Sequence, residues 1–226
     1  MKPQAIIFYG PPGSGKTTQA RLLSLKLHLV FFDTGRFLKK VLDDPDRADD
    51  PVIKKEKELF DGGVLMTPKF VLREVLNQTK LIAKTKQGIV YCGSPRTMYE
   101  AEGLMPLLEK LYGKENVHVI LLDVSEKAAQ KRNVARLICK TCNTPLLTEY
   151  YPSKNPKNCP ICGGDFYKRP DDRPEVIKIR YDEYEERTEP IFGYLKKRGY
   201  KLRKVDGTLP PYKVFNKIYG HFEKSG

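Results

Sequence analysis

No stretch of the 226 residues is long and apolar enough to span a bilayer. The most apolar run, Leu22 to Phe32, is interrupted by Lys26 and His28. Met1-Lys2-Pro3-Gln4 leads directly into the strand-like Ala5-Ile6-Ile7-Phe8-Tyr9, with no apolar h-region and no cleavage site. A membrane span and a secretory signal are therefore not expected, and the cytoplasm is the expected compartment. Internal repeats and low-complexity tails are also lacking. Acidic residues are in short supply: 28 Asp+Glu face 41 Lys+Arg, leaving a net charge of +13 and a pI near 9.4. That excess suits a polyanionic partner, nucleic acid or nucleotide phosphate, although a salty cytoplasm or a hot habitat also favours Lys-rich surfaces. Cysteine is sparse, with five residues, but four of them fall into two pairs, Cys139/Cys142 and Cys159/Cys162. What is present suffices for a core. The chain is 40% hydrophobic and 31% charged, which suits one domain of ordinary size, alone or carrying inserted subdomains.

Strand and helix signals alternate along the first hundred residues, which predicts an α/β fold with a parallel sheet and crossover helices. Ala5–Tyr9, Leu29–Phe32, Ile89–Cys92, Val117–Leu122 and Tyr200–Val205 read as the strands. Helical spacing follows Lys16 (Ala20, Leu23, Leu27) and recurs from Phe70 to Thr85 (Val71, Val75, Ile82). Residues 34 to 66 are polar and broken by Pro45, Pro51 and Gly62-Gly63, which predicts a small helical insertion. Residues 139 to 165, rich in Cys, Pro, Asn and Lys, interrupt the alternation. After Asp171 a long helix is expected, with Ile177, Tyr181, Tyr184, Thr188, Ile191 and Leu195 forming its stripe, and Tyr212–Phe222 closes the chain as a last helix.

Gly10-Pro11-Pro12-Gly13-Ser14-Gly15-Lys16-Thr17 fits G-x-x-x-x-G-K-[ST] between a strand and a helix. Such a loop turns backbone N–H groups and a helix N-terminus toward phosphate, and binds a nucleoside triphosphate. Lys16 is placed to neutralise the β/γ-phosphates and the Thr17 hydroxyl to ligate Mg²⁺. Asp33-Thr34-Gly35 and Ser94-Pro95-Arg96-Thr97 follow the second and third strands, at carboxyl ends where ligands bind in parallel sheets. Arg132 and Arg136 share one helix face, and Arg169 and Arg180 lie beyond the Cys-rich stretch. An i,i+4 pair of arginines is ordinarily a solvated face, but four arginines bracketing a small insertion in a P-loop chain suggest a hinged lid that brings charge to a transferring phosphoryl group.

With these motifs in this order, the sequence resembles the adenylate kinase family of the long, lid-bearing kind across nearly its whole length. The carriers are Gly10–Thr18, Thr34-Gly35, Pro95-Arg96-Thr97, Arg132-Asn133-Val134-Ala135-Arg136, Cys162-Gly163-Gly164, Arg169-Pro170-Asp171-Asp172 and Lys204-Val205-Asp206-Gly207. The resemblance implies a P-loop three-layer sandwich with a five-stranded sheet, and reversible Mg²⁺-dependent transfer, ATP + AMP ⇌ 2 ADP. It implies a core at 1–33, 67–135 and 173–226, a monophosphate-binding insertion at 34–66 and a lid at 136–172. ATP would be held by Gly10, Pro11, Pro12, Gly13, Ser14, Gly15, Lys16, Thr17, Thr18 and Arg132, with its base against backbone near Lys204. The monophosphate would meet Thr34, Gly35, Lys39, Leu65, Met66, Gly93, Arg96, Glu100, Arg169 and Arg180. Lys16, Arg96, Arg132, Arg136, Arg169 and Arg180 would surround the transferring group, and Asp171 and Asp172 would help close the lid. Relatives of this kind are mostly monomers, so a monomer is expected.

The cysteines form C-x₂-C-x₁₆-C-x₂-C, a zinc-ribbon spacing in which each knuckle presents two thiolates to a tetrahedral ion. Structural Zn²⁺ at Cys139, Cys142, Cys159 and Cys162 is expected; iron suits the same S₄ set, and a disulfide pair is the rival, at odds with a reducing cytoplasm.

Three positions depart from the family pattern. Cys92 stands where the family's Mg²⁺-side Asp is usual, and a thiol is a poor partner for a hard cation. Asp33 is the candidate replacement, with a helix N-cap as its plainer role. Glu100 replaces a Gln that reads the acceptor base; an ionised Glu offers acceptors only, which suits GMP better than AMP, unless it faces solvent while Leu65-Met66 backbone reads the base. Lys39 replaces a clamping Arg, with Arg36 one turn earlier as compensation. Adenylate kinase chemistry is the leading expectation, with a GMP-preferring or relaxed-specificity kinase as the alternative. A nucleic-acid-binding ATPase is the rival from another class, but nucleic acid is not the expected partner because the motif arginines are already assigned to phosphates of two nucleotides.

Overall fold

The computed structural model describes residues 3–146, 148, 151, 156–169 and 172–223. Its first strand explains the rest of the layout. All five residues of β1 (Ala5–Tyr9) are buried, so both faces of the strand must be covered, and a strand buried on both sides belongs at the centre of a parallel sheet. β1 lies between β3 (Ile89–Cys92) and β4 (Val117–Asp123), with β2 (Val30–Asp33) and β8 (Leu202–Asp206) at the edges, and every pairing is parallel. The order reverses across β1, which opens a crevice at the carboxyl ends of the strands.

Alternation along the strands divides the interior into two cores. Ala5, Ile7 and Tyr9, with Tyr91 and Val119, face α4 (Pro68–Lys84), α5 (Met98–Tyr112) and α8 (Pro190–Lys197). Ile6 and Phe8, with Val90, Ile120 and Val205, face α1 (Lys16–Leu27) and α9 (Pro211–Glu223). The expected α/β sandwich is present, with edges shifted slightly. β2 starts at Val30 rather than Leu29, and β8 starts at Leu202 rather than Tyr200, because Leu195 O draws in the Tyr200 N–H to finish α8.

Two excursions leave this framework. α2 (Thr34–Leu42) and α3 (Pro51–Asp61) form the helical insertion, capped by the side chains of Asp33 and Asp50. α6 (Glu126–Ala135) leads to β5 (Leu137–Cys139), β6 (Pro145–Leu146) and β7 (Phe166–Tyr167), a small antiparallel sheet in the order β6-β5-β7. The single long helix expected after Asp171 is instead α7 (Pro174–Glu183) and α8, joined by a π turn over Tyr184–Thr188. Tyr184, Thr188, Ile191 and Leu195 are buried as the stripe requires, whereas Tyr181 is only half-buried.

Candidate active site

The loop from Gly10 to Thr17 leaves the centre of the sheet and opens α1. Gly13 has φ +88°, and a Cβ there would meet Ala129 O at 2.3 Å, so only glycine lets the loop lie against α6. Lys16 folds back over the loop, donating from Nζ to Gly10 O at 2.6 Å and Pro11 O at 2.8 Å. Desolvation pushes its pKa down to about 7; Cys92 opposes this, and Arg96, Arg180 and Arg136 add to it by repulsion. Four cations drawn from α1, the β3 loop, the end of α6 and α7 thus converge on one place. Their mutual repulsion is what an oligophosphate would relieve.

The backbone of Arg96 is held on both sides. Its N–H donates to Glu100 Oε2 at 2.9 Å, and its carbonyl accepts from Thr188 Oγ1 at 2.9 Å. Its guanidinium lies over Gly93, where a Cβ would come within 2.9 Å of Nη2. The π turn sets Thr188 against Arg96; sequence reasoning missed this contact, and its one signal was a hydroxyl within an otherwise apolar stripe. Arg136 forms a two-point pair with Asp172, through Nε at 3.0 Å and through Nη2. Asp171, expected to help close the lid, lies outside the described residues, as does Pro170. Arg132 ties α6 to the end of β8, donating to Gly207 O at 2.7 Å and Thr208 O at 3.0 Å. Arg169 is half-buried where the chain returns from the lid. Lys204 sits on exposed β8 and pairs with Asp123 at 2.8 Å.

Around Thr17, its Oγ1 lies 3.3 Å from Cys92 Sγ, and Cys92 is in register beside Asp33. Burial, with Asp33 adding to it, pushes the Cys92 thiol up to about 11, so it stays protonated at neutral pH. Asp33 does cap α2, accepting from Arg36 N at 3.2 Å, and this leaves its second oxygen 3.8 Å from Arg36 Nε. The carboxylate that caps α2 thus belongs to the residue in register with the thiol that touches Thr17.

The residues expected on the acceptor side are less uniform. Thr34 is buried and its Oγ1 has no partner among the described residues, and Ser94 Oγ shares that state. Gly35 lies in the first turn of α2. Leu65 donates its N–H to Glu183, and Met66 is buried in the main core. The solvent-facing alternative for Glu100 needs correction. Glu100 does not face solvent: it is 4% exposed, its other oxygen accepts from Thr97 Oγ1 at 3.1 Å, and Thr97 Oγ1 in turn accepts from Glu100 N at 3.3 Å to cap α5. Burial raises its pKa, against the pull of Arg96 and Thr97. Lys39 does not join the cation cluster; one turn along α2 it pairs with Asp43 at 2.6 Å, on the surface. Arg36 points the other way, donating to Asn143 O in the lid at 3.3 Å.

In the lid the four cysteine sulfurs lie within 4.8 Å of one another. Cys139 to Cys162 is 3.4 Å and Cys142 to Cys159 is 3.7 Å, which excludes disulfides. A tetrahedral ion with Zn–S bonds of about 2.3 Å would space its sulfurs about 3.8 Å apart, so the set fits zinc. The Cys142 N–H points at Cys139 Sγ from 3.4 Å, and this donor holds the Cys139 pKa below its usual value, as a metal-bound thiolate needs.

The family profile described as adenylate kinase matches residues 8–200. The chain belongs to the adenylate kinase family. It is 34% identical over 219 residues to an adenylate kinase of Archaeoglobus fulgidus, covering 97% of this chain and 98% of that one. It is also 34% identical over 225 residues to one from Thermodesulfovibrio yellowstonii, covering 97% and 99%. A third, from Zymomonas mobilis, matches at 34% over 222 residues, covering 98% and 96%. As an adenylate kinase the chain is a nucleoside monophosphate kinase that uses Mg²⁺ with ATP, and its four cysteines fit a zinc lid. Among the described residues no helix is long and apolar enough to cross a membrane.

Proposed function

We propose that this adenylate kinase transfers a phosphoryl group reversibly between ATP and AMP at the cation cluster formed by Lys16, Arg96, Arg136 and Arg180. The observation that supports this most directly is the phosphate loop at the centre of the sheet, with Lys16 Nζ folded onto Gly10 O and Pro11 O, in a chain that matches the adenylate kinase family over residues 8–200. The Gly10–Thr17 loop, with Thr18 in the first turn of α1, would take the ATP phosphates, and Arg132, fixed to Gly207 and Thr208, would steady them beside the base site near Lys204. Arg96, clamped by Gly93, Glu100 and Thr188, would hold the AMP phosphate, with Arg169 and Arg180 closing over it. Thr34, Gly35, Leu65 and Met66 would line the acceptor. Residues 34–66 would act as the acceptor-binding insertion, 136–172 as the lid, and the remainder as the core.

No nucleophilic side chain is required, because the acceptor oxygen is already anionic. The task is to bring two polyanions together, orient them in line and keep water out. The arginines offset charge on the transferring group, and lid closure removes the competing acceptor, water. Mg²⁺ would be held by Thr17 Oγ1, with Asp33, in register with Cys92, as the candidate acid, and it would supply charge neutralisation on the ATP phosphates. The guanine alternative rested on an ionised, free Glu100; with both oxygens engaged at the start of α5, AMP is the acceptor we favour. A cytoplasmic monomer, in a compartment that keeps the lid thiols reduced, completes the reading.

Initial rates from Mg-ATP to AMP, GMP, CMP and UMP, with a no-acceptor control, test it. AMP should exceed the others, and the control should stay near zero. A GMP rate equal to that of AMP would overturn the acceptor assignment, and a control equal to all four would overturn the kinase site.

A further inference from the structure

We propose that the opposite end of the sheet carries a second anion site, which takes a phosphate group between the turns that lead into β4 and β8. These strands are parallel neighbours, so the turn Lys114–Asn116 and the segment Gly199–Lys201 enter side by side, at the far end from the P-loop. Between them lies a cavity of about 470 Å³, lined by Lys114, Glu115, His118, Tyr200, Lys201 and Arg203.

Three of the six are cations, and none of the three forms an ion pair among the described residues. The neighbouring Arg198 shows the contrast: its Nη2 sits 2.6 Å from Glu109 Oε2, and Tyr200 donates its hydroxyl to the same carboxylate at 2.8 Å. Glu109 is thus taken up outside the cavity. Inside it, the Lys114 ammonium lies 5.7 Å from the centre of the Tyr200 ring. Arg203 Nη1 lies 3.1 Å from His118 Nδ1; a guanidinium only donates, so Nδ1 accepts and the ring is neutral. Burial, then Arg203, pushes the His118 pKa down to about 4, which agrees with that tautomer. The one acid among the lining residues is Glu115, whose Oε1 accepts from Asn116 Nδ2 at 3.2 Å; Glu109, just outside, also attracts Lys114 through space.

A guanidinium and two ammonium groups against one carboxylate select an anion, and planar Arg203 with point-charge lysines suits phosphate. The cavity is larger than one phosphate group. The ligand is an oligophosphate or a phosphorylated chain end, and it has two sources: a free anion or the terminus of an RNA.

The test follows the His118 ring protons by NMR in the full chain, titrated with tripolyphosphate and then with a 5′-phosphorylated oligoribonucleotide. The chain has only three histidines, so the signal is assigned by one His118→Gln control, and it reports this end of the sheet rather than the P-loop. A saturable His118 shift is expected, weakened about tenfold or more in Lys114→Ala/Lys201→Ala and abolished in Lys201→Glu, with phosphoryl-transfer rates unchanged. Tighter saturation by tripolyphosphate assigns the free anion, and tighter saturation by the oligonucleotide assigns RNA; both uphold the site. No saturable shift with either probe, or a shift that both lysine variants retain, overturns it. Because the kinase rates are read separately, failure here is distinct from failure of the proposed reaction.

Discussion

The helical insertion and the lid are both excursions from one sheet, yet they are held in opposite ways. Leu38, Leu42 and Ile53 of the insertion, with Met66 at its return, are buried in the same core as β1 and β3. Glu56, 2% exposed, accepts from Thr67 N at 2.7 Å and fastens the return into α4. Among the described residues, the lid contributes none to either core. Its buried apolar positions among the described residues are Ile138, Cys139 and Cys159, too few to offset the ordering of its chain. A covered apolar face stabilises one excursion, and a metal cross-link must stabilise the other.

The largest expected effect breaks the lid alone. Stripping the metal with a chelator, or Cys139→Ser with Cys159→Ser, should lower phosphoryl transfer by about a hundredfold or more, since the lid arrangement is lost with its metal. Limited proteolysis should then cut within residues 137–169 while the segment from Pro51 to Asp61 stays protected. Protection of both segments without metal would end the contrast. Next, Ile53→Ala should cost about 2–4 kcal/mol of global stability, seen as a single lowered denaturation midpoint, because the insertion shares the main core. A separate early transition would show that the insertion unfolds independently.

A smaller effect tests the direct link between the two. Arg36→Ala removes the contact to Asn143 O and should reduce activity by roughly threefold, equivalent to well under 1 kcal/mol, with stability unchanged. The smallest signal is less than one proton. Lys16 has a pKa near 7 in the unliganded site, and phosphate should raise it. At pH 8 the free amine is mostly neutral and becomes protonated on binding, so nucleotide binding should take up close to one proton, falling toward none at pH 6. Calorimetry in buffers of different ionisation enthalpy reads this, and Lys16→Met should abolish it.

The sequence made legible whatever is encoded locally. The short apolar run Ala5–Tyr9, ending in a Gly-Pro turn, reads as a buried strand, and the glycine spacing before Lys16 announced the phosphate loop. The two cysteine knuckles announced a metal. What escaped were relations that depend on distant residues. Thr188, in the π turn, bonds Arg96, 92 residues away. Lys39 has a helical neighbour, Asp43, that draws it outward, and at sequence level the pull of the acceptor site looked equally plausible. Glu100 is in the third position of a helix after Thr97, a capping-box signature that was present in the sequence, but comparison with the family's Gln directed attention to bases instead.

Gly13 has one more consequence. With its backbone against Ala129 and Asn133, the phosphate loop supports α6, a rod of ten residues about 15 Å long. The outer end of that rod carries Arg132 and Arg136 and passes straight into the lid. A side chain at position 13 would therefore wedge the phosphate loop away from α6 at Ala129 and Asn133, and the displacement would fall on the turn of helix that presents Arg132 and Arg136.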